Sequence, residues 1–265
     1  MPTVVDKERT VGLLRAEFEG IATFCRSLGN EEWAAASCLP GWTVHDVLAH
    51  LVGTESVLLG EPAPAADISH LGHLRNPIAE LNEVWVQSMR PWTDSRLLDR
   101  FCEVTKERLT ALDAMTQADF DAPSWTPVGR DETYGRFMRI RHFDCFMHEH
   151  DMRLALGAPP RDDADHVASC LDEVMTGMGY VVGRRAAMPD GSRVRLELTG
   201  PAARTVLVVV DGRASVTDVL DEPPTVDVSM PAALFLRLAG GRHDPDPQVL
   251  GTVEFRGGGK DAEQL

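Results

Sequence analysis

Two stretches of the sequence place histidine and aspartate at spacings that suit metal or acid–base chemistry. The first, residues 40–52, reads P-G-W-T-V-H-D-V-L-A-H-L-V and contains His50; the second, residues 139–157, contains Asp144 and His148. On a helix of 3.6 residues per turn, Asp144 and His148 lie one turn apart on the same side, among apolar residues. Burying a carboxylate and an imidazole there costs several kcal/mol unless they are paired or bind a metal ion.

A divalent cation held by both side chains removes this cost, and His50 on a facing helix supplies a third ligand. Three protein ligands with an open position is the arrangement of a catalytic zinc site. Two simpler interpretations remain: Asp144 and His148 form an ordinary i, i+4 charge pair, and His50 is a hydrogen-bonded helix histidine. Asp151 continues the same line and either orients a ligand or forms a salt bridge with an arginine.

Five other histidines are assigned from their positions. His45 falls in the first turn of its helix, and His142 and His150 fall on other faces of theirs, so all three are predicted to be exposed. His70 and His73 lie in a loop, where they bind metal, line the mouth of the site or are ordinary surface residues.

Amphipathic helical patterns account for the first two thirds of the chain. The helix that carries His50 follows a Pro-Gly pair, Trp42 is predicted to pack at its entry, and Thr43 with Asp46 can cap its start. The helix of the second stretch ends at Gly157. Apolar spacing predicts helices over residues 5–28, 44–59, 133–156 and 164–182, with two more that begin at Pro77 and Asp94.

From about residue 191 the pattern changes to short alternating strands. The stretches S-R-V-R-L-E-L-T and T-V-L-V-V-V are followed by two more strand candidates, a short helix A-A-L-F-L-R-L-A and a last strand. The predicted architecture is an N-terminal four-helix bundle over residues 1–187, followed by a smaller α+β domain over residues 188–265.

Composition and charge disfavour several classes of protein. The chain has 265 residues and a formal charge of -15, which disfavours nucleic acid as a partner because phosphate binding needs clustered basic residues. No stretch is apolar enough to span a bilayer, and the N-terminus lacks the apolar segment of a signal peptide, so a cytoplasmic location is expected. The five cysteines have no C-x-x-C spacing, which argues against a disulfide framework or a structural zinc knuckle.

Together the two stretches resemble the signatures of the mycothiol-dependent maleylpyruvate isomerase family, within the wider DinB-like helical bundles. The resemblance lies in P-G-W-T-V-H-D-V-L-A-H-L-V-G and F-D-C-F-M-H-E-H-D-M-R-L-A-L-G, and A-L-F-L-R-L-A-G-G-R resembles the sterol-carrier-like C-terminal domain of many members. It implies a zinc ion held by His50, Asp144 and His148. The chain departs from the family pattern at Asp144, where glutamate is common, so the metal is expected to sit closer to the helix or to be held more loosely.

The resemblance also implies the chemistry. Mycothiol, a low-molecular-weight thiol, binds the zinc through its sulfur, and the metal lowers the pKa of the thiol. The thiolate adds to the cis double bond of a small electrophilic substrate such as maleylpyruvate, allows rotation, and leaves again from the trans product. Arg242 resembles the arginine of the C-terminal signature and either binds a substrate carboxylate or interacts with carbonyl groups at a helix end.

Three functions stay open at this point. The first is a mycothiol-dependent metalloenzyme, either an isomerase or a thiol S-transferase that acts in detoxification or biosynthesis. The second is a non-catalytic small-molecule-binding protein on the same fold, and the third is a hydrolase that uses zinc-bound water. The protein is expected to be a monomer or a homodimer without nucleic-acid or membrane partners.

Overall fold

The computed structural model describes residues 2–72, 74–242 and 246–257. The chain divides into two units, Met1–Arg161 and Asp162–Leu265. The first unit is helical apart from one β-hairpin, and the second combines helices with a five-stranded sheet. The predicted fold class, a helical bundle followed by a smaller α+β domain, is confirmed. Among the described residues, no helix has the length and apolar character that crossing a membrane requires.

Four long helices form the bundle of the first unit: α1 (Lys7–Arg26), α3 (Val44–Leu58), α5 (Asp94–Asp113) and α7 (Tyr134–Ala155). Helix α1 packs on α5 and α7, and α3 packs on the same two helices. Each of the four contributes fully buried side chains to the core, among them Ile21, Leu48, Phe101 and Met138. The shorter elements are α2 (Asn30–Trp33), α4 (Pro77–Met89), α6 (Gln117–Asp121), β1 (Pro123–Thr126) and β2 (Gly129–Thr133).

Local sequence sets the start of α3, the helix that carries His50. Gly41 has a φ of 81°, a left-handed conformation that glycine adopts without a steric cost. The Asp46 N–H then donates to Thr43 Oγ1 (3.3 Å), and the Thr43 N–H donates to Asp46 Oδ2 (3.0 Å). This pair of hydrogen bonds is the predicted cap, which is confirmed. Arg90, at the end of α4, also binds Asp46, with 3.0 Å between Nε and Oδ1.

The second unit contains α8 (Ala164–Met175), α9 (Met178–Tyr180), a π-helical turn (Val181–Arg185), β3 (Arg193–Thr199), β4 (Arg204–Asp211), β5 (Arg213–Thr217), β6 (Val226–Pro231), α10 (Ala232–Ala239), α11 (Pro247–Leu250) and β7 (Glu254–Gly257). The strand order in the sheet is β5–β4–β3–β6–β7. Strands β3 and β6 are parallel, and the other neighbours are antiparallel. Alternate residues of β3 and β4 are buried, as the sequence pattern predicts: Val194, Leu196, Leu198, Val206, Val208 and Val210.

The division between the units falls after Arg161, earlier than the predicted boundary between residues 187 and 188. Helix α8, expected as part of the bundle, packs against α10 of the second unit. The α9 backbone lies on β5, where a Cβ at Gly179 would stand 2.8 Å from the Ala214 carbonyl oxygen. The helical pattern of residues 164–182 does not identify this partner, because an amphipathic helix buries its apolar face equally well against a bundle or a sheet.

Two local segments differ from the predicted elements. The turn residues of A-P-S-W-T-P-V-G-R-D predict a loop over residues 122–131, but most of this segment belongs to the β1–β2 hairpin, whose turn is closed by N–H groups of Val128 and Gly129 that donate to Thr126 Oγ1. The helix predicted over residues 164–182 ends at Met175. A short α9 and the π-helical turn then continue the helical segment to Arg185.

Candidate metal centre

His50 of α3 and Asp144 and His148 of α7 meet where these two helices pack. Each offers one ligand atom, and the three atoms lie within 4.8 Å of one another. Asp144 Oδ2 lies 3.5 Å from His50 Nε2, and Asp144 Oδ1 lies 3.4 Å from His148 Nε2. The centroids of the two imidazole rings are 4.7 Å apart. The structure therefore brings together the three residues predicted to share a metal ion.

His50 is buried, and neither of its ring nitrogens has a hydrogen-bond partner among the described residues. Burial lowers the pKa of His50 below its ordinary value, and Asp144 opposes this effect only in part. The imidazole is therefore neutral near pH 7 and keeps a lone pair on one nitrogen. An imidazole without a partner inside a protein is destabilising, and a metal ion bound to it would remove that cost. The donor set at this point thus fits a divalent metal.

Asp151 binds the imidazole of His148 at Nδ1, the ring nitrogen that faces away from Asp144. His148 Nδ1 and Asp151 Oδ2 are 3.0 Å apart, so an Nδ1–H donor leaves Nε2 as the nitrogen that faces Asp144. Burial alone would lower the pKa of His148, but Asp144 and Asp151 outweigh it and raise the pKa. The Cys38 thiol donates to the other carboxylate oxygen of Asp151, with 3.2 Å between Sγ and Oδ1. This geometry is the one that the ligand-orienting interpretation of Asp151 requires.

Asp144 also pairs with Arg141, which lies one turn earlier on α7. Arg141 in turn binds Glu55 of α3, with 2.6 Å between Nε and Oε1, and Arg108 of α5 binds Glu55 Oε2 at 3.1 Å. Burial raises the pKa of Asp144, but His148 and Arg141 outweigh it and hold the pKa well below its ordinary value. Asp144 is therefore an ionised carboxylate at neutral pH.

Trp42, predicted as a packing residue, covers one side of the site. Its indole lies against both imidazoles, with ring centroids 5.4 Å from His50 and 6.4 Å from His148. The indole N–H donates to Glu83 Oε2 of α4 at 3.0 Å, and Gln87 Nε2 donates to Glu83 Oε1 at 2.7 Å. Helix α4, which packs on α3, thereby fixes the orientation of the indole.

Sequence reasoning did not identify the buried ion cluster that Arg141 connects to Asp144. Glu55, Arg108 and Arg141 are all buried, and each lies on a bundle helix. A charged residue at a buried position of a helical pattern is the signal that could have marked them. Their pairing joins α3, α5 and α7, and a single helical period contains no information about such a contact.

The predictions for three histidines were wrong, because His45, His142 and His150 are all buried. His150 Nε2 lies 2.8 Å from the Arg161 carbonyl oxygen, and its ring packs against Phe146 with centroids 4.2 Å apart. The prediction assumed that one face of each helix is covered, whereas α7 contacts α1, α3 and further short elements of the same unit. Of the two loop histidines, His70 is exposed and His73 lies outside the described residues.

Arg242, the candidate for binding a substrate carboxylate, lies just after α10 in the second unit. Its backbone N–H donates to the Arg237 carbonyl oxygen (2.8 Å), and its side-chain Nη1 donates to the Gly240 carbonyl oxygen (2.7 Å). Both contacts are those of an arginine at a helix end, which is the alternative interpretation of this residue. A role of Arg242 in substrate binding therefore stays a proposal.

Two family models match the chain, one after the other. Residues 14–153 match the mycothiol maleylpyruvate isomerase N-terminal domain, and residues 168–264 match the MDMPI C-terminal domain. The chain belongs to the mycothiol-dependent maleylpyruvate isomerase family. Members of this family are enzymes, and the family resemblance stated from the two histidine-containing stretches is confirmed.

Two solved structures of a mycothiol-dependent maleylpyruvate isomerase share the fold. The crystal structure of that isomerase has a TM-score of 0.60 and 18% identity, and the match covers 92% of this chain and 93% of that chain. A histidine-to-alanine variant of the isomerase has a TM-score of 0.58 and 17% identity, with the same coverage of 92% and 93%. The comparison with curated protein sequences found no match.

Proposed function

We propose that this member of the family is a mycothiol-dependent isomerase that converts maleylpyruvate, or a closely similar cis dicarboxylate, to the trans isomer with the help of a zinc ion. His50, Asp144 and His148 would hold the metal. The observation that carries the proposal is the convergence of three ligand atoms within 4.8 Å, one of them on a buried imidazole without a hydrogen-bond partner among the described residues. Two imidazole nitrogens and one carboxylate oxygen are a ligand set of catalytic zinc sites.

The side chains have separate roles in this proposal. His50 is neutral because burial lowers its pKa, and Asp151 holds the Nδ1 proton of His148 so that Nε2 is available to the metal. Asp144 contributes the negative charge. When bound, zinc lowers the pKa of a thiol that coordinates it, so that a thiolate is available near neutral pH. Trp42 covers the imidazoles on one side and limits the access of water there.

A dicarboxylate substrate also needs a cationic partner, and we assign this role to Arg242. A guanidinium group binds a carboxylate through two parallel hydrogen bonds, which fixes the orientation of the substrate as well as its charge. The contacts of Arg242 with the end of α10 hold its backbone in place.

The first experiment measures metal content and turnover on the same samples. Purified protein is loaded with zinc, its bound metal is determined by mass spectrometry, and maleylpyruvate with added mycothiol is followed by proton NMR. We expect one zinc per chain and conversion of the cis to the trans substrate, and we expect His148→Ala to lose both. Asp113→Asn, which removes one carboxylate that pairs with Arg15 on α1, is the matched control and should keep both.

The possible outcomes distinguish the different functions that the same three metal ligands permit. Protein that binds no zinc after loading contradicts the metal site itself. Zinc-loaded protein that produces a stable thiol conjugate in place of the trans product is an S-transferase, and formation of a hydrolysis product without any thiol identifies a hydrolase. Zinc binding with no reaction of any of these kinds supports a non-catalytic binding protein.

A further inference from the structure

A cluster of four charged side chains, three of them buried, adjoins the candidate metal site and includes one of its ligands. Glu55 of α3 sits between two arginines: Arg141 of α7 binds its Oε1 at 2.6 Å, and Arg108 of α5 binds its Oε2 at 3.1 Å. The side chains of Glu55, Arg108 and Arg141 are all at most 4% exposed. The fourth member, Asp144, is half-buried and binds Arg141 through Oδ2.

Arg141 thus connects a rigid anchor to a candidate metal ligand. Its Nε is fixed by Glu55, which lies on the same helix as His50, while its Nη1 engages one oxygen of Asp144. The other oxygen, Oδ1, faces His148 Nε2 at 3.4 Å. Asp144 is the most exposed of the three candidate ligands, with 36% of its side chain accessible, and the contact with buried Arg141 opposes rotation of its carboxylate toward water.

We propose that Arg141 is a positioning residue that holds Asp144 in the orientation required to bind the metal. The guanidinium group of Arg141 binds the carboxylates of Glu55 and Asp144 at the same time. Its contact with Glu55 prevents the guanidinium from moving when Asp144 moves. Asp144 is then presented as a ligand through one oxygen, at the point where the two histidines converge. The inference rests on the metal site proposed above.

If Arg141 acted only through its positive charge, it would weaken metal binding instead of supporting it. A positive charge beside a divalent cation repels it, so the simple removal of that charge should tighten metal binding. Groups that orient a metal ligand typically change metal affinity about tenfold to hundredfold when they are mutated, in the direction of weaker binding. The direction of the change in affinity therefore distinguishes positioning from charge.

Arg141→Lys tests the proposal with the charge retained. A lysine ammonium cannot bridge two carboxylates as the planar guanidinium does. Arg108→Lys is the matched control, because Arg108 is also buried, also on a bundle helix and also bound to Glu55, but makes no contact with Asp144 among the described residues. The zinc Kd of each variant is measured by competition with a chromophoric chelator, and the absorption spectrum of the cobalt-loaded protein reports the ligand geometry. Thermal unfolding of the metal-free proteins checks that both variants fold.

We expect Arg141→Lys to raise the zinc Kd about tenfold to hundredfold and to change the cobalt spectrum, while Arg108→Lys keeps the Kd and spectrum of the native protein. Equal effects in the two lysine variants would reduce Arg141 to a structural residue and overturn the proposal. Should Arg141→Lys not fold, Arg141→Gln decides, since positioning predicts weaker binding and loss of charge alone predicts tighter binding. Absence of zinc binding by the native protein is a different result, which contradicts the metal site rather than the role of Arg141.

Discussion

The short side chain of Asp144 lies near both histidines of the candidate site, His148 one turn later on α7 and His50 on α3. Its oxygens lie 3.5 Å and 3.4 Å from the Nε2 atoms of His50 and His148. The resemblance to the family led us to expect glutamate here, and a looser or closer metal in its absence. The structure shows a carboxylate that is near both imidazoles and is held by Arg141, so one methylene fewer does not separate the three groups.

Asp151→Asn should weaken zinc binding about tenfold to hundredfold, because Asp151 orients His148 and increases the basicity of its ring. Asparagine has nearly the same shape as aspartate, so the fold and the contact with Cys38 should survive the change. The zinc Kd measured by chelator competition checks this prediction. Asp113→Asn removes the same charge from the exposed ion pair with Arg15 and should leave the Kd unchanged; a similar loss in both variants would indicate a general charge effect.

At the scale of whole elements, α4 lies beside the bundle and forms one wall of the site. Glu83 of α4 binds the indole of Trp42, and α4 lies very close to α3 at Gly53. A Cβ on Gly53 would stand 2.5 Å from Trp85 Cβ and 2.6 Å from Trp85 Cγ. The absence of a side chain at this position therefore allows α4 to pack where it holds the indole.

Gly53→Ala should lower the free energy of unfolding by about 1–3 kcal/mol, because the added methyl group forces α4 away from α3. Gly12→Ala is the matched control: Gly12 is exposed on α1, and a Cβ there meets no atom within 4 Å. That substitution should stabilise the protein by about 0.5–1 kcal/mol, since alanine favours the helix. Urea unfolding of both variants measures the difference in free energy of unfolding. Equal stability of the two variants would show that α4 moves away from the added methyl group without loss of stability.

The contact between α1 and α7 contains a second element-scale feature, the buried carboxyl group of Glu17. Its pKa is raised well above the ordinary value, mainly by burial and then by the neighbouring Glu149 of α7, although Arg161 and Arg153 oppose the shift. The native state consequently binds this proton more tightly than the unfolded chain. The stabilisation is complete below the unfolded pKa of about 4.3 and is lost as the pH rises through the raised native pKa.

Glu17→Gln should remove this dependence, since glutamine stays neutral in both states. The free energy of unfolding of the variant, relative to that of the native protein, should therefore increase as the pH rises from about 4.5 toward 8. Urea unfolding at several pH values measures the difference between the two proteins, which cancels the titration of the other groups. A difference that stays constant with pH would show that Glu17 keeps an ordinary pKa in the folded protein.

At the scale of the whole molecule, the proposed metal site joins two helices of the first unit that are far apart in sequence. His50 belongs to α3, and Asp144 and His148 belong to α7. A metal ion bound there stabilises the native chain and not the unfolded one, because the unfolded chain does not keep the three ligands together. The formal charge of -15 attracts cations in general, so specificity has to come from the imidazole nitrogens.

Zinc at a free concentration about 100 times its Kd should raise the free energy of unfolding by about 2.7 kcal/mol. Magnesium at the same concentration should have little effect, because it prefers oxygen ligands and retains its water. Thermal unfolding with each metal, before and after addition of a chelator, checks this prediction. His148→Ala should show no stabilisation by zinc, and an equal response of the variant and the native protein would place the bound zinc elsewhere.

Local features of the fold and site were predictable from the sequence because they depend on residues close together in the chain. The cap formed by Thr43 and Asp46 follows from their spacing, the shared face of Asp144 and His148 follows from the helical period, and the alternating burial of β3 and β4 follows from the period of a strand. The position of His50 on its helix suggested it as the third ligand beside the pair on α7, and the family resemblance implied the same residue.

The tertiary structure decided which distant faces meet. It brought His50 to Asp144 and His148, assembled the ion cluster of Glu55, Arg108 and Arg141 from three helices, buried the histidines predicted to be exposed, and packed α8 against α10. The physical reason is the same in each case. Periodicity specifies the face that a helix buries, but the partner of that face is selected by the packing of the whole unit.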